Sequence, residues 1–247
     1  MMRSIAVATA TFIGLLSTGC QTTAEDGDAS RSPVVVELFT SEGCSSCPPA
    51  DKLLKALSDD ETLVLSFHVD YWNQLGWRDP FSRPEYTLRQ RQYADVLGVA
   101  QVYTPQMIVG GQFQFVGSDK KAAAKALSSV KRNKPTGSLT MEVSKANETA
   151  VQFAFEAGDT QPGMILNLAI VEKATSSKVT AGENARANLS HVNVVRAFKV
   201  IPLESGVAGQ AELDLPEQVD TRELFAVGYL QQSKTGQIGA TARSSIP

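Results

Sequence analysis

Cys44 and Cys47 are separated by two serines and followed directly by Pro48 and Pro49. The nucleophile in thiol–disulfide exchange is a thiolate, and the first turn of a helix favours the thiolate through its unpaired N–H groups and partial positive charge. The second cysteine of such a pair can close a disulfide and resolve a mixed-disulfide intermediate. The spacing therefore indicates redox or thiol chemistry at the entry to a helix.

The two prolines restrict where that helix begins. Proline is tolerated in the first helical turn and not further in, because it lacks an N–H and clashes with the preceding turn. We expect the helix to begin close to Cys47, with Ser45 or Ser46 as its N-cap. This leaves open which cysteine gains more from the helix terminus, and therefore which one is the nucleophile.

Two other roles are possible for the cysteine pair. A permanent structural disulfide is one, although closing so short a loop stabilises a fold less than a long-range bridge does. A zinc or copper(I) site is the other, with His68 and His191, the only histidines, as further ligands. Each histidine lies in or at the start of an apolar run, which is typical of a hydrogen-bonded core residue. We therefore predict neither a metal nor another cofactor.

The elements that must position the pair alternate between strand and helix. Helices are predicted directly after Cys47, over 85–97, and over 119–130 with Ser118 as the N-cap. β-branched and apolar runs predict strands over 34–39, 63–69, 106–109 and 112–116. Such alternation is typical of a layered α/β domain.

An irregular, aromatic segment lies between Asp70 and Pro84. Its rings, Trp72, Trp77 and Phe81, could line a substrate groove beside the cysteines or form a local core. Asp70 could relay protons to a buried cysteine, an acid–base role, or act as a surface or capping carboxylate. The sequence leaves both questions open.

After Pro135 the pattern changes to short alternating strands separated by Gly, Asn, Asp and Ser. Strands are predicted over 139–143, 151–155, 165–171, 191–200, 211–215, 224–231 and 238–242. This spacing predicts a β-sandwich or a β-rich extension of the first sheet. We place a domain boundary near Pro135, giving an α/β domain over 34–134 and a β-rich, sandwich-like C-terminal domain over 135–247.

The N-terminus is typical of an exported protein. A basic start is followed by an apolar run, Ile5 to Leu16, which is shorter than the roughly 20 residues that a spanning helix needs. Such a run fits the apolar region of a signal peptide over 1–20, followed by a polar, disordered leader over 21–33. The sequence before Cys20 resembles a bacterial lipoprotein cleavage box, in which the cysteine is lipidated. Cleavage after Ala24 is the alternative.

With either form of cleavage, Cys44 and Cys47 are the two cysteines left with free sulfur atoms. We expect the protein to be exported, and to be periplasmic, lipid-anchored to the bacterial envelope or secreted. The formal net charge of −3 gives no basic surface for nucleic acid, and membrane contact is expected only through a lipid anchor at Cys20. No Gly-x-Ser-x-Gly, phosphate-binding glycine loop or His-Glu-x-x-His sequence is present. The expected partners are protein or small-molecule thiols and disulfides.

The order strand, Cys-x-x-Cys-Pro, helix, Thr104-Pro105, strand, strand, helix is similar to the thioredoxin core. More narrowly, the chain from about Val34 to its end resembles the domain of unknown function 1223 family, exported proteins with a thioredoxin-like domain. The passages that carry this resemblance are 36–51, 68–73, 76–81, 103–106, 182–184 and 191–196. The resemblance implies a thioredoxin-like fold in which a cis Thr104–Pro105 bond faces the cysteine pair. Gly43 replaces the tryptophan of thioredoxin itself, so thioredoxin's substrate and potential are not carried over.

These observations predict a thioredoxin-like thiol–disulfide oxidoreductase that acts through Cys44 and Cys47. Thr104 and Pro105 would shape the groove in which a substrate docks. The alternative is a non-catalytic binding protein on the same fold, with a protein partner or a copper or zinc ion as ligand. Substrate, direction of electron flow and oligomeric state stay open.

Overall fold

A computed structural model describes residues 32–203 and 207–247. The predicted signal peptide, its candidate lipidation site Cys20 and nearly all of the leader lie outside the described residues. The described residues contain three helices, α1 (Pro48–Leu57), α2 (Pro84–Leu97) and α3 (Lys120–Lys131), with 3-10 turns at Asn73–Leu75 and Thr221–Glu223. Within the described ranges, none of the helices has the length and apolar character needed to cross a bilayer.

Most strands form one large sheet. The strands are β1 (Val34–Thr40), β2 (Thr62–His68), β3 (Gln106–Val109), β4 (Phe113–Val116), β5 (Ser138–Lys145), β6 (Ala150–Gly158), β7 (Met164–Lys178), β8 (Asn188–Pro202), β9 (Ala208–Asp214), β10 (Leu224–Gln232) and β11 (Ile238–Ser245). Eight of them form a sheet in the order β11-β10-β7-β8-β2-β1-β3-β4, and β5, β6 and β9 form a second sheet. The mixed α/β class predicted from the sequence is confirmed.

The central strands β1 and β2 are parallel and buried along their whole length. Parallel strands with both faces covered consist mainly of apolar residues, as here. One face of β1 and β2 packs against α1 and α3, with Leu38, Leu54 and Ala123 in a shared core. The opposite face packs against α2 through Phe39, Phe67 and other residues of a second core.

The strands after Pro135 continue the same sheet. β8 joins β2 in parallel at Ser66 and Val194, and β7, β10 and β11 extend the sheet from there. The three-stranded sheet packs over β7 and β10, and their side chains share a third core that includes Phe153, Leu168 and Leu230. A β-rich extension and a sandwich-like layer are therefore both present. A domain boundary near Pro135 stays a prediction.

Two predicted N-caps are wrong by one or two residues. α1 is capped by Cys47 rather than by Ser45 or Ser46, because both serines lie in the turn between the cysteines. α3 is capped by Asp119 rather than by Ser118, since the Asp119 carboxylate accepts hydrogen bonds from the N–H groups of Lys121 and Ala122.

Candidate functional site

Cys44 and Cys47 form a disulfide at the junction of β1 and α1, with their Cα atoms 5.5 Å apart. Both cysteines are 0% exposed, whereas Ser45 and Ser46 between them are exposed. The turn is closed by hydrogen bonds from Cys44 N to Ser41 O and from Cys47 N to Cys44 O, each 3.2 Å. The pair is therefore built into the strand–helix junction and shielded from solvent.

The first turn of α1 offers the sulfur atoms a partial positive charge but few amide donors. Pro48 and Pro49 occupy the first two helical positions and have no N–H. The N–H groups of Ala50 and Asp51 donate to the Cys47 carbonyl at 2.8 and 3.1 Å. The Cys44 Sγ atom lies 3.3 Å from Ser46 Oγ.

A buried carboxylate, Glu42, lies two residues before Cys44 and joins three segments of the chain. Its Oε2 accepts from Trp77 Nε1 at 2.8 Å. Its Oε1 accepts from the Ser177 hydroxyl at the end of β7 and lies 3.3 Å from His191 Nε2 on β8. Glu42 is therefore surrounded by donors, which is the arrangement that a buried carboxylate requires.

A second carboxylate, Asp51, lies one helical turn after Cys47. It accepts from Thr40 Oγ1 at 3.1 Å, and its Oδ2 lies 3.7 Å from His191 Nδ1. The His191 ring thus lies between two carboxylates that flank the cysteine pair in the sequence. All three groups are buried, so their charges interact strongly.

A third buried carboxylate, Asp79, extends the cluster. Its Oδ2 accepts from the Glu42 N–H at 2.8 Å and lies 2.7 Å from His68 Nδ1. The His68 and His191 rings meet edge to face with centroids 4.6 Å apart, and Phe81 packs against both. Glu42, Asp51, His68, Asp79 and His191 form the acid–histidine cluster.

The surroundings within the cluster shift the pKa values of His191, Glu42 and Asp79. Burial lowers the pKa of His191, but the neighbouring Asp51 and Glu42 carboxylates outweigh burial and raise that pKa to about 9. Burial raises the pKa of Glu42, but hydrogen bonds from His191, Ser177 and Trp77 outweigh it, so the pKa lies below its ordinary value. Burial likewise raises the pKa of Asp79, and the charge and hydrogen bond of His68 bring it below its ordinary value.

Thr104 and Pro105 lie beside the first turn of α1. The peptide bond between them is cis, as the resemblance implied. Gly117 lies between Pro105 and α1, where there is no room for a side chain. A Cβ on Gly117 would come within 3.1 Å of Pro105 Cβ and 3.0 Å of Ala50 Cβ. Thr104 Oγ1 accepts from Trp72 Nε1 at 2.9 Å.

The aromatic segment between Asp70 and Pro84 contacts the site through hydrogen bonds and through ring packing. Trp72 and Trp77 hydrogen-bond to Thr104 and Glu42, and Phe81 is buried against the two histidines. Asp70 takes no part in the cluster, because its carboxylate accepts from the Thr87 hydroxyl of α2 at 2.5 Å. The buried acids near the cysteines are instead Glu42 and Asp51.

Sequence reasoning missed Glu42, Asp51 and Asp79 as members of the site. The sequence did contain a signal for two of them. Asp51 follows Cys47 by four residues and therefore lies one turn along the same helix face. Glu42 lies close to the pair because it directly precedes Gly43 and Cys44. Within residues 32–203 and 207–247, no group of three or more His, Cys, Asp or Glu side chains is arranged to hold a metal ion. The two histidines meet each other and the carboxylates rather than completing a four-ligand site with the cysteines.

The family model described as "Protein of unknown function (DUF1223)" matches residues 35–231. The chain belongs to this family. No curated protein matches it. The match spans both the cysteine pair and the C-terminal strands that carry Ser177 and His191, so the DUF1223 family region contains the whole site.

Solved structures include likenesses to this DUF1223 chain. The crystal structure of a protein from Agrobacterium tumefaciens is 27% identical, covers 86% of this chain and 94% of its own, and has a TM-score of 0.66. A domain of the outer membrane lipoprotein Omp28 from Porphyromonas gingivalis is 9% identical, with coverage of 46% and 92% and a TM-score of 0.26. The first likeness supports a shared fold, and the second is too weak to support one.

Proposed function

We propose that this protein is a thiol–disulfide oxidoreductase that acts through Cys44 and Cys47. The observation that carries the proposal is the disulfide at the start of α1, flanked by the buried acid–histidine cluster. A bridge across two residues gives little stability by closing a loop. Buried titratable groups, in contrast, are characteristic of sites where protons move.

We further propose that the N-terminal part is a thioredoxin-like domain. The strand order β2-β1-β3-β4 and the parallel pairing of β1 with β2 support this. The placement of α1 and α3 on one face of the sheet and α2 on the other also supports it. The cysteine pair lies at the β1–α1 junction, and Pro105 directly precedes β3.

In the proposed reaction a dithiol substrate reduces the protein disulfide. A substrate thiolate attacks one sulfur of the pair, the Cys44–Cys47 bond breaks, and the other cysteine leaves as a thiolate. The second substrate thiol loses its proton and attacks the mixed disulfide, which releases the oxidised substrate. Two electrons and two protons pass to the cysteine pair, and a reduced pair runs the same steps in reverse.

The proposed setting is an exported one, periplasmic, lipid-anchored through Cys20 or secreted, where disulfides persist. The proposed partners are protein or small-molecule thiols and disulfides. The signal-peptide pattern at 5–16 supports export. A cell-fractionation experiment with wild type and Cys20→Ser tests the anchor, since only the lipidated form stays with the membrane fraction.

Turnover of insulin or of a glutathione-coupled disulfide tests the reaction. We expect turnover with wild type and none with Cys44→Ser or Cys47→Ser, because either change removes the exchange cycle. A redox titration of the pair is the companion measurement. Absence of turnover together with a potential below about −300 mV, typical of structural disulfides, contradicts the proposal.

A second candidate is a non-catalytic protein-binding module on the same fold. The complete burial of both cysteines favours it, because a disulfide that no reagent reaches is chemically inert. The redox titration separates the two candidates. A potential in the range of exchangeable disulfides supports the oxidoreductase, and one below about −300 mV supports the binding module.

A further inference from the structure

The loop between β7 and β8, residues 179–187, contacts the main chain around Cys44. Asn184 Nδ2 donates to the carbonyl of Glu42 at 2.8 Å and to the carbonyl of Cys44 at 3.0 Å. Glu183 Oε2 accepts from the Ser45 N–H at 3.0 Å. Two side chains that follow the cysteines by about 140 residues in the sequence therefore hold the peptide units on both sides of Gly43 and Cys44.

The loop has a closed base and an exposed tip. At its base, Val179 N donates to Ala187 O at 3.0 Å and Arg186 N donates to Val179 O at 2.8 Å. At its tip, Gly182 and Glu183 are exposed and Asn184 is half-buried. Gly182 adopts a φ of 74° against the side chain of Trp77, where a Cβ would come within 3.2 Å of Trp77 Cβ.

The aromatic segment is a second neighbour of the cysteine turn, with Trp72 Cβ 3.0 Å from where a Cβ of Gly43 would lie. That segment is anchored in the protein interior through buried Asp79 and Phe81. The tip of loop 179–187 has no such anchor. Segments held by few buried contacts at the surface open most readily.

We propose that loop 179–187 is a cover that decides which thiols and disulfides reach Cys44–Cys47, and that Asn184 is the positioning residue that keeps it closed. Nucleophilic attack on a disulfide requires access to a sulfur atom, and both cysteines are 0% exposed. In this proposal the Asn184 bonds to the Glu42 and Cys44 carbonyls break before either sulfur atom becomes accessible. This inference deepens the proposed function and rests on it.

The rate at which dithiothreitol reduces the oxidised full-length protein tests the cover. We expect Asn184→Ala to raise this rate about tenfold, because two hydrogen bonds that favour the closed loop are lost. Glu183→Ala should raise the reduction rate less, and because position 183 is exposed this change does not threaten folding. Glu183→Gln should be reduced at a rate nearer that of wild type, because its amide oxygen can still accept from the Ser45 N–H. Gln232→Ala is the matched control, since its side-chain amide donates to the Pro162 carbonyl at 3.0 Å outside this region.

The urea dependence of the rate separates local opening from general loss of stability. Opening of one loop exposes little surface, so we expect the wild-type rate to change little at urea concentrations below the unfolding transition. A rate for Asn184→Ala equal to that of wild type, or a wild-type rate that rises with urea as steeply as global unfolding does, overturns the inference. If the proposed function is wrong, the turnover assay shows no activity. The rate of reduction by dithiothreitol can still be measured in that case, so the two failures are distinguishable.

Discussion

At the scale of single residues, the cysteine pair is notable for its charged neighbours. Glu42, Asp51 and Asp79 are buried together with His68 and His191. An unpaired charge in such a place is costly, so each carboxylate depends on its donors and on the histidine facing it. The arrangement ties the stability of the site to pH.

His191 is expected to make the free energy of unfolding fall between pH 6.5 and 9. Its pKa is raised from 6.5 to about 9 in the folded protein by Asp51 and Glu42, against the effect of burial. A raised pKa gives stability that is fully present below 6.5 and is lost as the pH rises through 9. The slope reaches about 1.4 kcal/mol per pH unit within this window.

Chemical denaturation of wild type and His191→Gln over this pH range measures the effect. The variant is expected to lack the fall, because glutamine does not titrate. The lowered pKa values of Glu42 and Asp79 affect the free energy of unfolding only at acid pH, where stability is lost as these carboxylates become protonated. Equal slopes for wild type and variant above pH 6.5 contradict the assignment to His191.

Ser46 is expected to stabilise the Cys44 thiolate in the reduced protein. Its hydroxyl lies 3.3 Å from Cys44 Sγ and can donate to a thiolate there. Ser46→Ala should slow the alkylation of Cys44 at neutral pH by up to about tenfold, the value of one hydrogen bond to a charged group. The rate of Cys44 alkylation in a Cys47→Ser background, followed by peptide mass spectrometry, measures the change.

Ser45→Ala is the matched control for that experiment. Ser45 is an exposed neighbour of the same type, and its N–H and hydroxyl both interact with Glu183 of the loop rather than with Cys44 Sγ. An equal loss of alkylation rate in the two variants would mean that the Ser46 hydroxyl has no particular role.

At the scale of elements, α1 determines how much its N-terminus can favour a thiolate. Cys47 is the N-cap, and an N-cap side chain ordinarily accepts from the N–H groups of the second or third helical residue. Pro49 has no N–H to give, and the Ala50 N–H already donates to the Cys47 carbonyl at 2.8 Å. The helix therefore contributes mainly through its dipole.

Pro49→Ala is expected to make the reduction potential of the pair less negative by about 10 to 30 mV, because the new N–H can donate to a Cys47 thiolate and stabilise the reduced state. Redox titration against glutathione measures the change. Pro48→Ala is the control, since the first helical position does not face the N-cap side chain. A larger effect from Pro48→Ala than from Pro49→Ala would contradict this account.

At the scale of the whole molecule, a buried arginine is hydrogen-bonded to both parts of the chain. Arg89 on α2 donates to Glu37 on β1 at 2.7 Å. The same guanidinium donates to Asn167 on β7 and to Tyr229 and Gln231 on β10. Helix α2 is thus fixed to strands β7 and β10 by polar contacts in the interior, in addition to the sheet that both parts share.

Arg89→Met is expected to reduce the free energy of unfolding by about 3 to 5 kcal/mol, because it leaves the Glu37 carboxylate buried without its cation. Adding Glu37→Leu should restore part of the loss. Urea unfolding of the two single variants and the double variant, followed by tryptophan fluorescence and by circular dichroism, measures these free energies. A double variant as unstable as the sum of the two single variants would show that the pair is not coupled.

The sequence by itself determined the local elements. β-branched runs placed β1, β2 and β3 within a residue or two, and the alternating pattern after Pro135 placed all seven later strands. The two prolines placed the start of α1 next to Cys47. These features follow from side-chain periodicity and from the missing N–H of proline, which act over a few residues and are visible in a printed chain.

Only the tertiary structure decided what surrounds the cysteines. His191 meets Glu42 across 149 residues of sequence, and Glu183 meets Ser45 across 138. The parallel placement of β8 beside β2 brings His191 and His68 together, and no local pattern specifies that pairing. The sequence supplied the disulfide pair and the start of its helix. The packing of distant strands supplied the buried acid–histidine cluster, because burial and charge pairing depend on neighbours in space rather than in sequence.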